Sequence, residues 1–182
     1  SRFEISATPL PGLKLVQRQR LGDSRGFLSR LFCAEELAAA GFNLPIAQIN
    51  HTYTARMGTV RGMHFQRAPH AETKLVRCTH GSVVDVALDL RPGSPTFTQW
   101  VAVELSAENH RMIYIPVGCA HGYQTLEDAT ELSYMTSQLY VAQSATGFRH
   151  DDPAFGIEWP LPVSCMSDAD RRWPDFNPDL LR

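Results

Sequence analysis

Between residues 74 and 140 the chain is a succession of short apolar runs broken by turn residues. The runs are KLVRC (74–78), SVVDVALDL (82–90), QWVAVEL (99–105), RMIYIP (111–116), HGYQTL (121–126) and TELSYMTSQLY (130–140). His80-Gly81, the RPGSP run at 91–95, Ser106 to Asn109, Val117-Gly118 and Glu127-Asp128 separate them. Strands of that length, recurring every 8 to 12 residues or so, predict an all-β sandwich or barrel. KLVQRQ (14–19) alternates in the same way and suits an added strand. Only CAEELAAAGF (33–42) has a helical composition, with Gly41 as its stop. The tail beyond Trp159 carries Pro160, Pro162, Pro174 and Pro178 and is expected to wrap the barrel as loops and short helices. No repeat, low-complexity tract or flexible linker interrupts residues 1–182, so a single domain is expected.

One strand breaks the pattern. TVRGMHFQ (59–66) places Arg61 and His64 where an ordinary β protein would carry Val or Ile. Side chains alternate faces along a strand, so two residues three apart cannot both point inward in a regular one. Gly62 offers a way out, because a glycine within a strand marks a bulge or a close backbone approach. A bulged strand that aims Arg61 and His64 into one pocket is therefore expected.

Composition narrows the picture only a little. An apolar fraction of 43% and a charged fraction of 20% are those of an ordinary globular protein, long enough to bury a core. The formal charge of -2 supplies no basic surface for nucleic acid. No apolar run is long enough to span a membrane, and SRFEISATPLPG has no signal-peptide layout, so a cytoplasmic protein is expected. Cys33, Cys78, Cys119 and Cys165 are far apart with no C-x-x-C spacing, which favours reduced, packed thiols.

The candidate chemistry centres on histidine. In IPVGCAHGYQ the spacing P-x-G-x-x-H, formed by Pro116, Gly118 and His121, describes a turn that lifts a histidine from a strand end into a barrel. The pattern resembles the second signature of the cupin superfamily, whose fold is a jelly roll, a double-stranded β-helix barrel. A catalytic metal would require about three convergent ligands. His64 is followed by Phe65 and Gln66, the position four beyond His121 is Thr125, and the nearest acid after His64 is Glu72. His51, His64 and His121 could still converge, but a site with no metal and no cofactor is the expectation. Such a pocket can still move protons. His64 could serve as a general base if a carboxylate fixes its tautomer, Lys74 could neutralise an enolate oxygen, and Tyr134 could return a proton from the opposite wall. Each has a plainer alternative: Lys74 as a surface charge, Tyr134 as a barrel aromatic, Asp170 as a helix cap in SDAD.

Read together, these pieces resemble the dTDP-4-dehydrorhamnose 3,5-epimerases, nucleotide-sugar epimerases of the cupin superfamily. The matching stretches are DSRGF (23–27), RGMHFQ (61–66), KLVRC (74–78), DVALDLR (85–91), SPTF (94–97), LSAEN (105–109), IPVGCAHGYQTL (115–126), GIEWP (156–160) and SDAD, ending at Asp170. They cover nearly the whole chain in order. The resemblance implies an all-β cupin-type jelly roll with a few short helices, acting on a nucleotide-linked 4-keto-6-deoxy sugar in deoxysugar and polysaccharide synthesis. It assigns His64 as the base, Asp170 as its orienting carboxylate, Lys74 as the group facing the C4 oxygen and Tyr134 as the acid. Arg25, Gln48, Asn50, Arg61 and His121 match positions that hold diphosphate and sugar, with Phe27 and Arg30 among the further substrate contacts. Tyr140 falls where an aromatic stacks on the base. It also implies a homodimer in which an N-terminal strand crosses to the partner, with residues near Arg25 and Arg30 serving the neighbouring pocket.

Four departures stand out. Arg30 replaces a usual glutamate, Ile49 an aspartate between Gln48 and Asn50, Ala145 a glutamate and Ala169 a lysine. They fall at nucleotide-contacting positions, while the four proton-handling residues remain, so the nucleotide or sugar tail is expected to differ from that of the rhamnose enzyme. The alternative readings are a metal-dependent cupin oxygenase or isomerase and a non-catalytic sugar-nucleotide binder. Inversion at C3, at C5 or at both is equally compatible with the sequence.

Overall fold

The computed structural model describes residues 1–182. Its strands are β1 (Phe3–Ala7), β2 (Lys14–Arg18), β3 (Arg20–Asp23), β4 (Gly26–Ser29), β5 (Gln48–Thr54), β6 (Val60–Gln66), β7 (Lys74–His80), β8 (Ser82–Asp89), β9 (Trp100–Ser106), β10 (Arg111–Ile115), β11 (Cys119–Thr125), β12 (Thr130–Thr136) and β13 (Ala145–Gly147). Two short helices, α1 (Ala34–Ala38) and α2 (Asp168–Arg171), and one 3-10 turn at Pro178–Leu181 complete it. No helix is long and apolar enough to cross a membrane.

The strands form a six-stranded sheet, in the order β1-β2-β10-β7-β12-β5, and a five-stranded sheet, β13-β6-β11-β8-β9. All named pairings are antiparallel, and the two sheets face each other as a jelly roll. Strand alternation explains what each face meets. Val76, Ile113 and Leu132 from the first sheet pack against Val83, Ala87 and Tyr123 from the second, between the sheets. The outer face of the first sheet carries Val16, Leu75 and Met112 under Leu37 of α1 and Phe42. The outer face of the second carries Met63, Val86 and Leu88 under Phe148, Phe155 and the end of the tail. Strand β8 is covered on both faces, which is why its run of apolar residues barely alternates.

The predicted strands recur with boundaries shifted by one or two residues, except that TELSYMTSQLY is strand only to Thr136 and then turns into a loop. The helix expected over 33–42 is shorter, Ala34–Ala38, with Gly41 at φ +101 beyond it. KLVQR pairs with β1 and β10 of its own chain, so it is an interior strand of the sheet and not a free one. The segment without cover is the β3–β4 hairpin, where Leu21, Phe27 and Leu28 are exposed. All four cysteines are free.

The expected bulge lies in β6. Across β11, His121 pairs with His64 and Tyr123 with Arg61, so two steps on one strand oppose three on the other. Gly62 sits there at φ +143, and a Cβ on it would come 2.6 Å from Gly122 Cα. Backbone against backbone leaves nothing flexible to move, and the φ lies in a region that L side chains rarely adopt. Gly62→Ala is therefore expected to lower stability by about 2 to 3 kcal/mol in urea unfolding, with activity lost in parallel through displaced His64. A wild-type unfolding midpoint would contradict the close approach.

Candidate active site

A cavity of about 760 Å³ opens at one end of the barrel. His64 and Arg61 reach it from β6, Lys74 from the start of β7, and Tyr134 from β12. Gln48 and Asn50 line it from β5, Tyr140 from the loop after β12, and Asp170 from the tail. Eight of the twelve expected site residues are thereby brought together. Cys165, Ala169 and Trp173 from the tail add to the wall.

The bulge makes this convergence possible, and the tail completes it. A parallel bridge between Thr59 and Cys165 docks the tail beside the start of β6. Ser167 then caps α2, its hydroxyl accepting the backbone N–H of Asp170 at 3.1 Å. With that cap supplied by Ser167, the Asp170 carboxylate is directed at β6. Its Oδ1 lies 2.6 Å from His64 Nε2 and 3.0 Å from Trp173 Nε1, and its Oδ2 accepts the Gly62 N–H at 3.2 Å. Burial pushes this carboxyl up, but the hydrogen bond and charge of His64, with the Trp173 and Gly62 donors, outweigh it and hold Asp170 below its ordinary value. An ionised carboxylate only accepts, so Nε2 of His64 is the donor to it, and in a neutral imidazole so held Nδ1 keeps a lone pair. Trp173, which packs edge-on to the His64 ring with centroids 6.2 Å apart, is a positioning residue with no sequence signal beyond its closeness to SDAD.

Opposite the dyad, Lys74 is almost fully buried and its Nζ lies 3.4 Å from Glu72 Oε1. Tyr134 on β12 pairs directly with Asn50 on β5. Burial, reinforced by Tyr123 and Glu72, pushes the Tyr134 hydroxyl up against the opposing effects of Arg61 and Asn50. It remains a protonated O–H donor at neutral pH. Arg61 is fixed by bonds from Nε to Thr54 Oγ1 at 3.1 Å and from its terminal nitrogen to the Tyr53 carbonyl at 3.0 Å.

Tyr140 is largely exposed, and its loop is pinned by two glutamines. Gln48 accepts the Tyr140 N–H through Oε1 at 2.5 Å. Buried Gln66 donates to the Leu139 carbonyl at 3.1 Å and accepts the Val141 N–H at 2.7 Å. The last residue of RGMHFQ thus shapes the rim without facing the cavity as a charge.

Four expected residues lie elsewhere. His121 pairs across from His64 but turns its Nε2 to the wholly buried Asp85, 2.7 Å away, and neither lines the cavity. Burial pushes the Asp85 carboxyl up, opposed by His121 and Lys74. Asp85, unmarked in the sequence except as the first of two aspartates in SVVDVALDL, is a wholly buried carboxyl bonded to His121 and within the influence of Lys74. Arg25, Phe27 and Arg30 belong to the exposed β3–β4 hairpin and the residue after it, outside this cavity. Arg25 pairs with Asp23, and Arg30 with Glu36 at 2.6 Å. No cluster of three or more His, Cys, Asp or Glu side chains forms that could hold a metal ion.

Comparison with known proteins places this geometry. The family model for dTDP-4-dehydrorhamnose 3,5-epimerase matches residues 7–178. The chain belongs to the dTDP-4-dehydrorhamnose 3,5-epimerase family. A curated epimerase of that name from Sinorhizobium fredii is 42% identical over 165 residues, spanning 90% of this chain and 85% of the relative. The crystal structure of the Bacillus anthracis epimerase, with TDP and diphosphate bound, superposes with a TM-score of 0.92 at 37% identity, covering 96% of this chain and 99% of that one. The Legionella pneumophila enzyme, in complex with dTDP-4-keto-L-rhamnose, gives 0.91 at 34% identity over 99% and 95%. This family member is accordingly an isomerase, a carbohydrate epimerase on the cupin fold.

The Asp170 contact sets an acid limit on stability. Its folded value lies below the ordinary 3.8, so its contribution is complete above 3.8 and is lost as pH falls through the lower folded value. Asp170→Asn should be less stable than the wild type at pH 7, with the gap closing below about pH 4. Urea unfolding across pH 2 to 7 or so reads this directly, and a gap independent of pH would contradict it.

Proposed function

We propose that this epimerase inverts one or both carbons flanking the C4 ketone of a nucleotide-diphosphate 4-keto-6-deoxy sugar, with no cofactor. The observation that carries the reading is that His64, Lys74 and Tyr134 face a single cavity while a buried carboxylate holds the far nitrogen of His64. His64 Nδ1 removes the proton next to the ketone, and the C–H electron pair moves into an enolate. The imidazolium so formed is stabilised by Asp170, and the charge on the C4 oxygen by Lys74. Tyr134 delivers its proton to the opposite face of the carbon, which sets the inverted configuration. Solvent then returns a proton to Tyr134 and takes one from His64. Arg61, a planar bidentate donor at the cavity wall, suits the diphosphate. Exposed Tyr140 offers a flat face to the nucleotide base.

We further propose a cytoplasmic homodimer, without nucleic-acid or membrane partners, in which the β3–β4 hairpin carries Arg25, Phe27 and Arg30 to the neighbouring cavity. Its support is the apolar surface left uncovered, with Phe27 and Leu28 on the hairpin and Ile49 and Tyr53 on edge strand β5. A monomer in gel filtration at working concentration would count against it. Arg30 is neutralised by Glu36 on its own chain, so its departure from the family pattern needs no change of nucleotide. Three departures remain: Ala145 and Ala169 at the cavity wall and Ile49 exposed on β5. They are the basis for expecting a nucleotide end other than dTDP, and a clear preference for dTDP over CDP, UDP and GDP in a titration would remove that expectation.

In heavy water the wild type should wash deuterium into the positions next to the ketone. His64→Asn should slow this by about a hundredfold or more without unfolding the protein. Tyr134→Phe should keep exchange yet lose inversion. Wild-type exchange in His64→Asn would remove His64 as the base. NMR of the products identifies the carbon or carbons inverted.

A further inference from the structure

A second cavity, of about 500 Å³, lies on the outer face of the six-stranded sheet beneath the base of the β3–β4 hairpin. Lys74 and Arg77 lie three residues apart on β7, so their side chains leave opposite faces. Arg77 shares its row with Val16 and Met112 on the outer surface. Arg18, two residues beyond Val16, emerges on that same surface beside it.

These two arginines are unusual in their surroundings. Arg18 is only 8% exposed. Its terminal nitrogens reach Ser29 Oγ at 2.9 Å and His110 Nδ1 at 3.1 Å. Its Nε is buried with no acceptor, and so is the Nε of Arg77. The cavity wall comprises Arg18, Arg77 and His110 with Ser29, Thr79 and apolar residues, and no carboxylate. Burial, and for Arg18 the neighbouring Arg77, pull both guanidiniums below their ordinary value. For His110, burial and then Arg18 and Arg20 act in the same direction, which suits an imidazole accepting from Arg18. Three other cations with limited exposure do have acids: Arg91 has Asp89, Arg149 has Asp175, Lys74 has Glu72. Buried charges are ordinarily paired, because an unpaired one forfeits its hydration without recompense.

We propose that Arg18 and Arg77 form an anion site for a phosphate-class oxyanion, separate from the substrate cavity on the other side of the sheet. Two guanidiniums that line one cavity with no carboxylate partner present the planar cationic donors that a tetrahedral dianion accepts. The Ser29 hydroxyl, which accepts from Arg18 and keeps its own hydrogen to donate, and the two positive charges match its remaining oxygens and its charge.

The probe is inorganic phosphate, titrated into the chain in phosphate-free buffer at constant ionic strength, with calorimetry and thermal unfolding as readouts. Arg61→Gln serves as the control for phosphate entering the substrate cavity. Saturable binding should persist in Arg61→Gln and weaken at least about tenfold in Arg77→Gln and in Arg18→Gln. Without phosphate, Arg77→Gln should unfold at the wild-type temperature or above, since it removes a half-buried cation that has no acid partner, and saturating phosphate should reverse that order. A measurement that needs no variant is the wild-type NMR signal of each arginine Nε–H, which should shift saturably over the same phosphate range. The proposal is overturned if these signals do not move, or if the phosphate response is lost in Arg61→Gln and kept in Arg77→Gln. It is equally overturned if Arg77→Gln responds as the wild type does, is destabilised without phosphate, or weakens dimerisation while phosphate has no effect. That last outcome would place a carboxylate of a second copy in the arginine forks.

Discussion

The hydrogen bond from His64 to Asp170, 2.6 Å between heavy atoms, joins a strand in the middle of one sheet to a helix of four residues in the tail. Nearly every feature of the site can be traced to what that bond needs. It needs a histidine facing inward three residues from an inward arginine, which a regular strand cannot provide. Hence the extra residue in β6 and the glycine at φ +143 against Gly122. It needs a carboxylate held still with its own backbone satisfied, hence the Ser167 cap, and two further donors, Trp173 and the Gly62 N–H. The same glycine that permits the bulge therefore also donates to the dyad, so strand geometry and the ionisation of Asp170 are coupled through one residue.

Around the dyad the barrel interior sorts its charges by depth. Asp85 sits deepest, shared by His121 and influenced by Lys74, while Glu72 approaches Lys74 from nearer the mouth. A lysine beside Glu72 and near Asp85 places its ammonium at the cavity wall, and positive charge there is what an enolate oxygen requires. Tyr134 is pushed the other way, toward its protonated form, by burial and negative neighbours. Base, electrophile and acid thus receive different environments within one cavity, as a proton transfer across a ring demands.

Much of this was legible in the sequence for identifiable reasons. Runs such as RMIYIP and KLVRC announce strands because their apolar residues match a two-residue period, and Gly62 marked the bulge because no other residue suits that backbone. The cavity residues were reachable because RGMHFQ and SDAD concentrate chemistry in short motifs. What sequence did not reveal depends on tertiary placement. His121 stands in a motif that suggests a pocket residue, yet its ring is claimed by Asp85, whose partner thirty-six residues away no local pattern discloses. The strand KLVQR alternates as an edge strand would, but the long return of β10 supplies it with a neighbour in its own chain. Arg30 reads as a charge reversal at a ligand site, and nothing local discloses that Glu36 of α1 is placed to pair with it. Gln66 reads as the end of a strand and acts as the clamp on the Tyr140 loop.

The central claim is that His64, held by Asp170, is the group that takes the proton. Chemical rescue tests it most directly. His64→Gly leaves an imidazole-sized space beside Asp170, and free imidazole should restore deuterium exchange and inversion in that variant, but restore neither in His64→Gly with Asp170→Ala. Exchange at the wild-type rate in His64→Gly without imidazole would contradict the account.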